Sequence, residues 1–197
     1  DGKSIAFVSD RYGNDDIFIT SIEGNSPMRV TYRSTGDQLT SWDAGFLLFE
    51  SNRDFRALEW DREIQMVSEK GGTPYRAMDA LGKYAVMSPD GSKVAFVKGS
   101  CRIEREAYTG SANLDLWLFD LKSGQYTQLT DYEGNDFLPK WKDNNTIYFI
   151  SARSGKYNVH TLGLDQRSVE NAVTNEKSFG MIRLFPSNAF ENKANSR

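Results

Sequence analysis

The chain has 197 residues, a formal net charge of −3, and 39% hydrophobic, 26% charged and 13% aromatic residues. A length of this order closes one sizeable core, and a composition this apolar and this mixed excludes a disordered or fibrous chain. Lysine and arginine fall singly rather than in the basic stripe that phosphate neutralisation needs, so nucleic acid is not an expected partner. The single cysteine, Cys101, rules out an internal disulfide and a cysteine-rich metal cage. No apolar run reaches the roughly 20 residues of a membrane span, and the opening Asp1-Gly2-Lys3-Ser4 lacks the apolar stretch of a signal peptide. Those residues read as the middle of a motif, so the compartment stays open, an exported or periplasmic location being preferred to the cytoplasm.

Taken in chain order, four short apolar segments recur at 5–8, 47–50, 94–97 and 147–150, each with phenylalanine third. Phe7, Phe49, Phe96 and Phe149 stand 42, 47 and 53 residues apart, close to the ~40–45-residue period of a four-stranded propeller blade with loop insertions taking up the excess. Turn residues that tolerate positive φ lead into these strands, as at 1–3, 88–92 and 142–145. After the strand comes Ser-x-Arg in three copies, Ser9/Arg11, Ser51/Arg53 and Ser151/Arg153. Next strands are expected at 16–19, 63–66, 115–118 and 158–161, further ones at 75–78 and 126–130, and short ones ahead of the turns at 83–87 and 137–141. No stretch has a helical period, so the chain is predicted to be all-β. A four-stranded sheet has two apolar faces and buries both only by stacking on neighbours, which favours a β-propeller. The expected blades are 1–42, 43–82, 83–136 and 137–177, with 178–197 an atypical tail or the start of a further blade. Four repeats are too few for a six- or seven-bladed ring, and open ends of that kind predict instability or oligomer formation for the isolated piece.

The run Ser-Pro-Asp-Gly-Ser-Lys-Val-Ala-Phe-Val at 88–97, with the later Gln128-Leu129-Thr130-Asp131, resembles the WD40-like PD40 repeat of TolB-type propellers. The stretches 105–120 and 128–136 resemble, more particularly, the N-terminal propeller of tricorn-like S41 serine peptidases. That resemblance implies a parent protein with propellers, a PDZ domain and a serine-peptidase core, in which the propeller gates or docks peptide substrates. It also implies peptides or a protein partner, and the other domains of the parent chain, as binding partners. Two alternatives go with it: a TolB-like protein-interaction module of the cell envelope, and the propeller cap of a prolyl-oligopeptidase-like enzyme.

No catalytic residue is identified within this chain. Acyl transfer needs a nucleophile with a base, and the only histidine, His160, sits where sister repeats carry Phe18 and Trp117, so it reads as structural. Gly-x-Ser-x-Gly, His-Glu-x-x-His and phosphate-loop patterns are absent, and no metal or cofactor is expected. The run 10–16, rich in Asp and Asn, lacks the glutamate of an EF-hand loop and reads as a hairpin in which Arg11 reaches a carboxylate. Recurrence of Arg11, Arg53 and Arg153 points to a clamp between blades. Insertions at 54–61 and 98–113 extend the same hairpin, and equivalent propeller loops share one rim, where binding residues concentrate. Arg56, Trp60, Arg102, Glu104, Arg105 and Tyr108 are therefore the candidate binding residues.

Overall fold

The computed structural model describes residues 2–54 and 62–172. These residues form antiparallel sheets without helices, the all-β propeller architecture expected. Strands β1 (Ser4–Ser9), β2 (Asp16–Ser21) and β3 (Met28–Arg29) form a first, three-stranded sheet. Then come β4 (Gln38–Asp43), β5 (Phe46–Ser51), β6 (Arg62–Ser68), β7 (Tyr75–Met87), β8 (Lys93–Lys98), β9 (Asp115–Asp120) and β10 (Tyr126–Gln128), hydrogen-bonded in consecutive order. A last sheet holds β11 (Asp136–Asp143), β12 (Thr146–Ser151), β13 (Asn158–Gly163) and β14 (Ser168–Asn171). The tail 178–197 lies outside the described residues.

Sequence spacing predicted two separate strands at 75–78 and 83–87, and the structure corrects this. Strand β7 runs unbroken for 13 residues, its first part pairing with β6 and its last part with β8. One strand thus closes the second sheet and opens the third, because Asp79-Ala80-Leu81-Gly82 contains no turn signal strong enough to reverse the chain. Gly82 marks the crossing point: a Cβ there would lie 2.7 Å from the Phe96 ring and 2.9 Å from the Val97 carbonyl.

The repeated phenylalanine has the same cross-strand position in every sheet. Phe7 faces Phe18, Phe49 faces Gln65, Phe96 faces Trp117 and Phe149 faces His160. Side chains alternate between sheet faces, so each strand sends one set into the seam before it and the other into the seam after it. Ile17, Val30, Leu47, Phe49 and Val67 fill the first seam. Leu48, Ile64, Met66, Met78, Val94 and Phe96 fill the second. Val97, Leu114, Leu116, Phe137, Phe149 and Leu162 fill the third.

Of the Ser-x-Arg arginines, Arg53 and Arg153 bind acids at the junction with the preceding sheet, across the blade bounds expected from sequence, and Arg153 also lies 5.1 Å over Tyr132 of the link from the third sheet. Arg53 pairs with Asp37, the residue before β4, while Ser51 Oγ donates to the same carboxylate at 2.8 Å. Arg153 pairs with Asp136 at 2.6 Å and donates to Ser151 Oγ at 3.0 Å. Each arginine joins the start of an inner strand to the end of the next and lies over the sheet's own phenylalanine, 5.1 Å from Phe49 and 5.2 Å from Phe149. Backbone bonds join the preceding sheet as well, Asp37 N to Asp15 O and Asp136 N to Leu114 O. Arg11 departs from expectation. It donates to Ser9 Oγ and stacks 4.7 Å over Phe18, with no carboxylate partner among the described residues.

Candidate functional rim

The loops 10–15, 99–114 and 152–157 and the links 30–37 and 129–135 emerge at neighbouring strand ends and form one rim. Hydrogen bonds run along it. The Asn14 side chain reaches the Arg33 carbonyl, and Arg33 donates to the Arg53 carbonyl at 2.9 Å. Asn135 Nδ2 donates to the Arg105 carbonyl at 3.2 Å. Between the first two sheets the rim holds a cleft of about 510 Å³ lined by polar side chains, among them Asp15, Thr35, Gln38, Asn52 and Arg62.

The longest loop described, 99–114, projects from the third sheet. Its two arms meet where Gly99 adopts φ +125°, a conformation L side chains rarely take, and a Cβ there would fall 2.0 Å from the Asn113 carbonyl. Cys101 N bonds Ala112 O at 2.8 Å to close the base, and turns at Arg102–Arg105, Arg105–Tyr108 and Gly110–Asn113 fold the remainder. Cys101, Ile103 and Tyr108 pack down into the core between the third and fourth sheets. From the fourth sheet, Tyr157 N donates to Glu106 Oε1 at 2.5 Å. The loop is therefore anchored at several independent points, the condition for a loop to hold a surface in fixed shape.

This anchoring sorts the sequence-derived candidates. Arg102, Glu104 and Arg105 are exposed, and the Arg105 guanidinium lies 4.6 Å over the Tyr108 ring. Tyr108 is half-buried, and its hydroxyl accepts from Ala112 N at 3.2 Å, so much of it is committed to holding the loop. Arg56 and Trp60 lie outside the described residues. Sequence reading missed Glu106, Asn135 and Tyr84. Asn135 is fully buried, accepts from Leu114 N at 3.1 Å and binds the loop carbonyl of Arg105; its place just before the acid that begins an inner strand was the available signal.

Charges on the rim perturb the groups beneath. Burial, then Glu50 and Glu104, push the Tyr84 phenol up to about 12. Burial also raises Tyr157, with Glu106 and Glu104 adding to the effect against a hydrogen bond from Asn135. Asp115, at the foot of the loop, is pushed up to about 6 by burial and then by Asp136. His160 is 1% exposed, sits 5.7 Å from the Phe149 ring and is held below the ordinary imidazole range by burial and by Arg153. It has the place of a core aromatic. Among the described residues no cluster of three or more His, Cys, Asp or Glu side chains is arranged to hold a metal ion, and no helix is long and apolar enough to cross a membrane.

Comparison with known proteins fits this architecture. The family model of the tricorn protease N-terminal β-propeller domain matches residues 1–185. A Bacillus subtilis (strain 168) protein named uncharacterized peptidase YuxL is 33% identical over 69 residues, 34% of this chain and 10% of that protein. A putative TolB from Agrobacterium tumefaciens superposes with a TM-score of 0.64 at 24% identity, over 83% of this chain and 56% of that one. The tricorn protease gives a TM-score of 0.68 at 17% identity, over 88% of this chain and 18% of that one. At these identities the two solved structures speak for the fold, and the chain spans only part of each of these proteins.

Proposed function

Because the chain belongs to the family of tricorn protease N-terminal β-propeller domains, we propose that it is a non-catalytic propeller segment of a tricorn-like serine peptidase, docking peptides on its rim or gating their passage. The observation that carries this reading is the anchored loop 99–114, which holds Arg102, Glu104 and Arg105 exposed on a scaffold tied to both the third and fourth sheets. Exposed guanidinium groups on a fixed support recognise carboxylates and peptide carbonyls at small entropic cost. The polar cleft between the first two sheets lies on the same rim and supplies a second place for an extended peptide.

Fluorescence anisotropy of labelled unstructured peptides, acidic and neutral, tests this on the chain and on an Arg102→Ala/Arg105→Ala double variant. Affinity for acidic peptides is expected to fall about tenfold or more, equivalent to about 1.4 kcal/mol, while the melting temperature stays put. Equal affinities in the two proteins would remove the rim from the docking role. A second reading, a TolB-like protein-interaction module, draws support from the higher identity to the TolB chain. It predicts that a folded protein, rather than a free peptide, competes for the same rim.

A further inference from the structure

The seam between the first and second sheets and the seam between the third and fourth are built on one plan. Thr31 Oγ1 accepts from Ile17 N and Thr130 Oγ1 accepts from Leu116 N, each at 3.0 Å. Val30 N to Ile17 O and Leu129 N to Leu116 O are both 2.8 Å. Asp16 and Asp115 open the equivalent strands, Asp37 and Asp136 stand at the start of the next sheets, and the charge of Asp136 acts on Asp115. Arg29 Nε donates to the Thr31 carbonyl at 3.0 Å, and Gln128 Nε2 to the Thr130 carbonyl at 2.8 Å.

The chemical difference lies at that last pair. Arg29 also forms an ion pair with Asp16. Gln128 brings no charge, and its amide approaches Asp115 Oδ2 only to 3.5 Å. Oδ1 of Asp115 and Oδ1 of Asp136 are both buried without a hydrogen-bond partner among the described residues, as is Oδ1 of Asp16 in the sister seam, but Asp16 has Arg29 on its other oxygen and Asp115 has no cation there.

The surroundings do not replace the lost cation. Lys98 is the register partner of Asp115 on β8, but its ammonium lies 5.1 Å over the Trp117 ring. Asn113 of the loop and Thr130 of the link offer Asp115 hydrogen bonds, while Asp131 adds a further negative charge. On the fourth sheet Arg153 faces Asp136 and is already paired with it, with Ser151 alongside. His160 of β13 is disfavoured from protonation by burial and by the charge of Arg153. Arg153 is the ion-pair partner of Asp136, and among the described residues no ion pair reaches Asp115, whereas in the sister seam Arg29 pairs with Asp16 and Arg53 with Asp37.

We propose that the seam between the third and fourth sheets is a proton-binding site, in which a proton taken up on Asp115 beside Asp136 does the work that Arg29 does in the sister seam. The proton adds to a carboxylate oxygen and leaves a neutral acid next to Asp136. Burial and the neighbouring aspartate place this uptake near pH 6. The site governs the rim loop. Leu114 is pinned by Asn135 Oδ1 on its N–H and by Asp136 N on its carbonyl, and Asn113 Nδ2 holds the carbonyls of Tyr132 and Gly134. Above about pH 6 two ionised carboxylates repel across that pin, and below it the pin is relieved and the loop tightens.

The test is a carboxyl carbon NMR titration of Asp115 in the full chain, together with Gln128→Arg, which installs the sister residue, and Gln128→Met, which removes the amide without adding charge. The midpoint is expected near 6 in the parent chain and in Gln128→Met, and at least two units lower in Gln128→Arg. Exchange protection of the Cys101 and Asn113 amides, corrected for intrinsic rates, is expected to follow the same midpoint in the parent and to lose its pH dependence in Gln128→Arg. An Asp115 midpoint near the ordinary ~3.9 in the parent chain would overturn the proposal, even if neither variant folds. So would a midpoint that Gln128→Arg leaves unmoved. Amide protection that ignores the midpoint would overturn the coupling to the loop.

Discussion

The third sheet differs from the second and fourth in a concerted way. Where those two carry an acid, a serine and an arginine, the third carries Gly82, Lys98 and Ser100, so all three members of the clamp are replaced together. In their stead the sheet is joined to its predecessor by the unbroken strand β7, and Gly82 lets the Phe96 ring approach the backbone. The same sheet bears the long anchored loop with the exposed arginines. A clamped sheet ties its inner strands together at the rim with a buried ion pair. The third sheet, tied to its predecessor by a continuous strand, lacks that pair and carries there a loop that presents side chains outward.

The largest effect is expected from breaking a clamp. Arg53→Ala leaves Asp37, itself fully buried, without its cation, and costs about 3–5 kcal/mol, read as a lowered denaturation midpoint. Ser100→Ala, at the matching position of the third sheet, is expected to change little, and a comparable loss there would end the distinction between the two kinds of sheet. Next is Gly82→Ala. Its Cβ would meet the Phe96 ring and the Val97 carbonyl, so about 1–3 kcal/mol of overpacking is expected in thermal unfolding.

Smaller and conditional is His160→Phe, which gives the fourth sheet the aromatic that the first and third carry in Phe18 and Trp117. The folded-state imidazole titrates below its ordinary value, so the unfolded chain binds more protons between the two. His160 therefore lends stability that is present above about pH 6.5 and is lost as pH falls. His160→Phe should flatten that acid-side loss in urea titrations run at several pH values. Asp115 acts in the opposite sense: its folded value is raised, so its contribution is fullest below about pH 4 and is lost as pH rises through about 6. The smallest stability effect is expected from Arg102→Ala and Arg105→Ala, within about 0.5 kcal/mol, because both side chains are exposed. A larger change would make the loop part of the sheet's support rather than a presenting surface.

Much of the architecture was legible from local pattern. Period-2 alternation around Phe7, Phe49, Phe96 and Phe149, with turn residues between, identified the strands and their order. The Ser-x-Arg repeat was visible as well, but its acid was not, since Asp37 and Asp136 lie 14 to 17 residues before their partners and meet them only when the hairpin closes. The spacing from each acid to the tryptophan five residues on, Asp37 to Trp42 and Asp136 to Trp141, was the signal that would have marked them. Of the rim candidates, the exposed residues followed from their place in an insertion. Tyr108 looked the same in sequence, and only packing distinguished it.

By itself, the sequence determined the all-β propeller class and the alternation within most strands, because side-chain alternation and turn chemistry act over a few residues. Tertiary structure alone decided that β7 serves two sheets, which acids the arginines meet, and that Asp115 lies by Asp136 with no ion-pair partner of its own among the described residues. Each of those rests on groups far apart in the chain brought together by stacking, where burial amplifies charge and makes one exchange of glutamine for arginine matter.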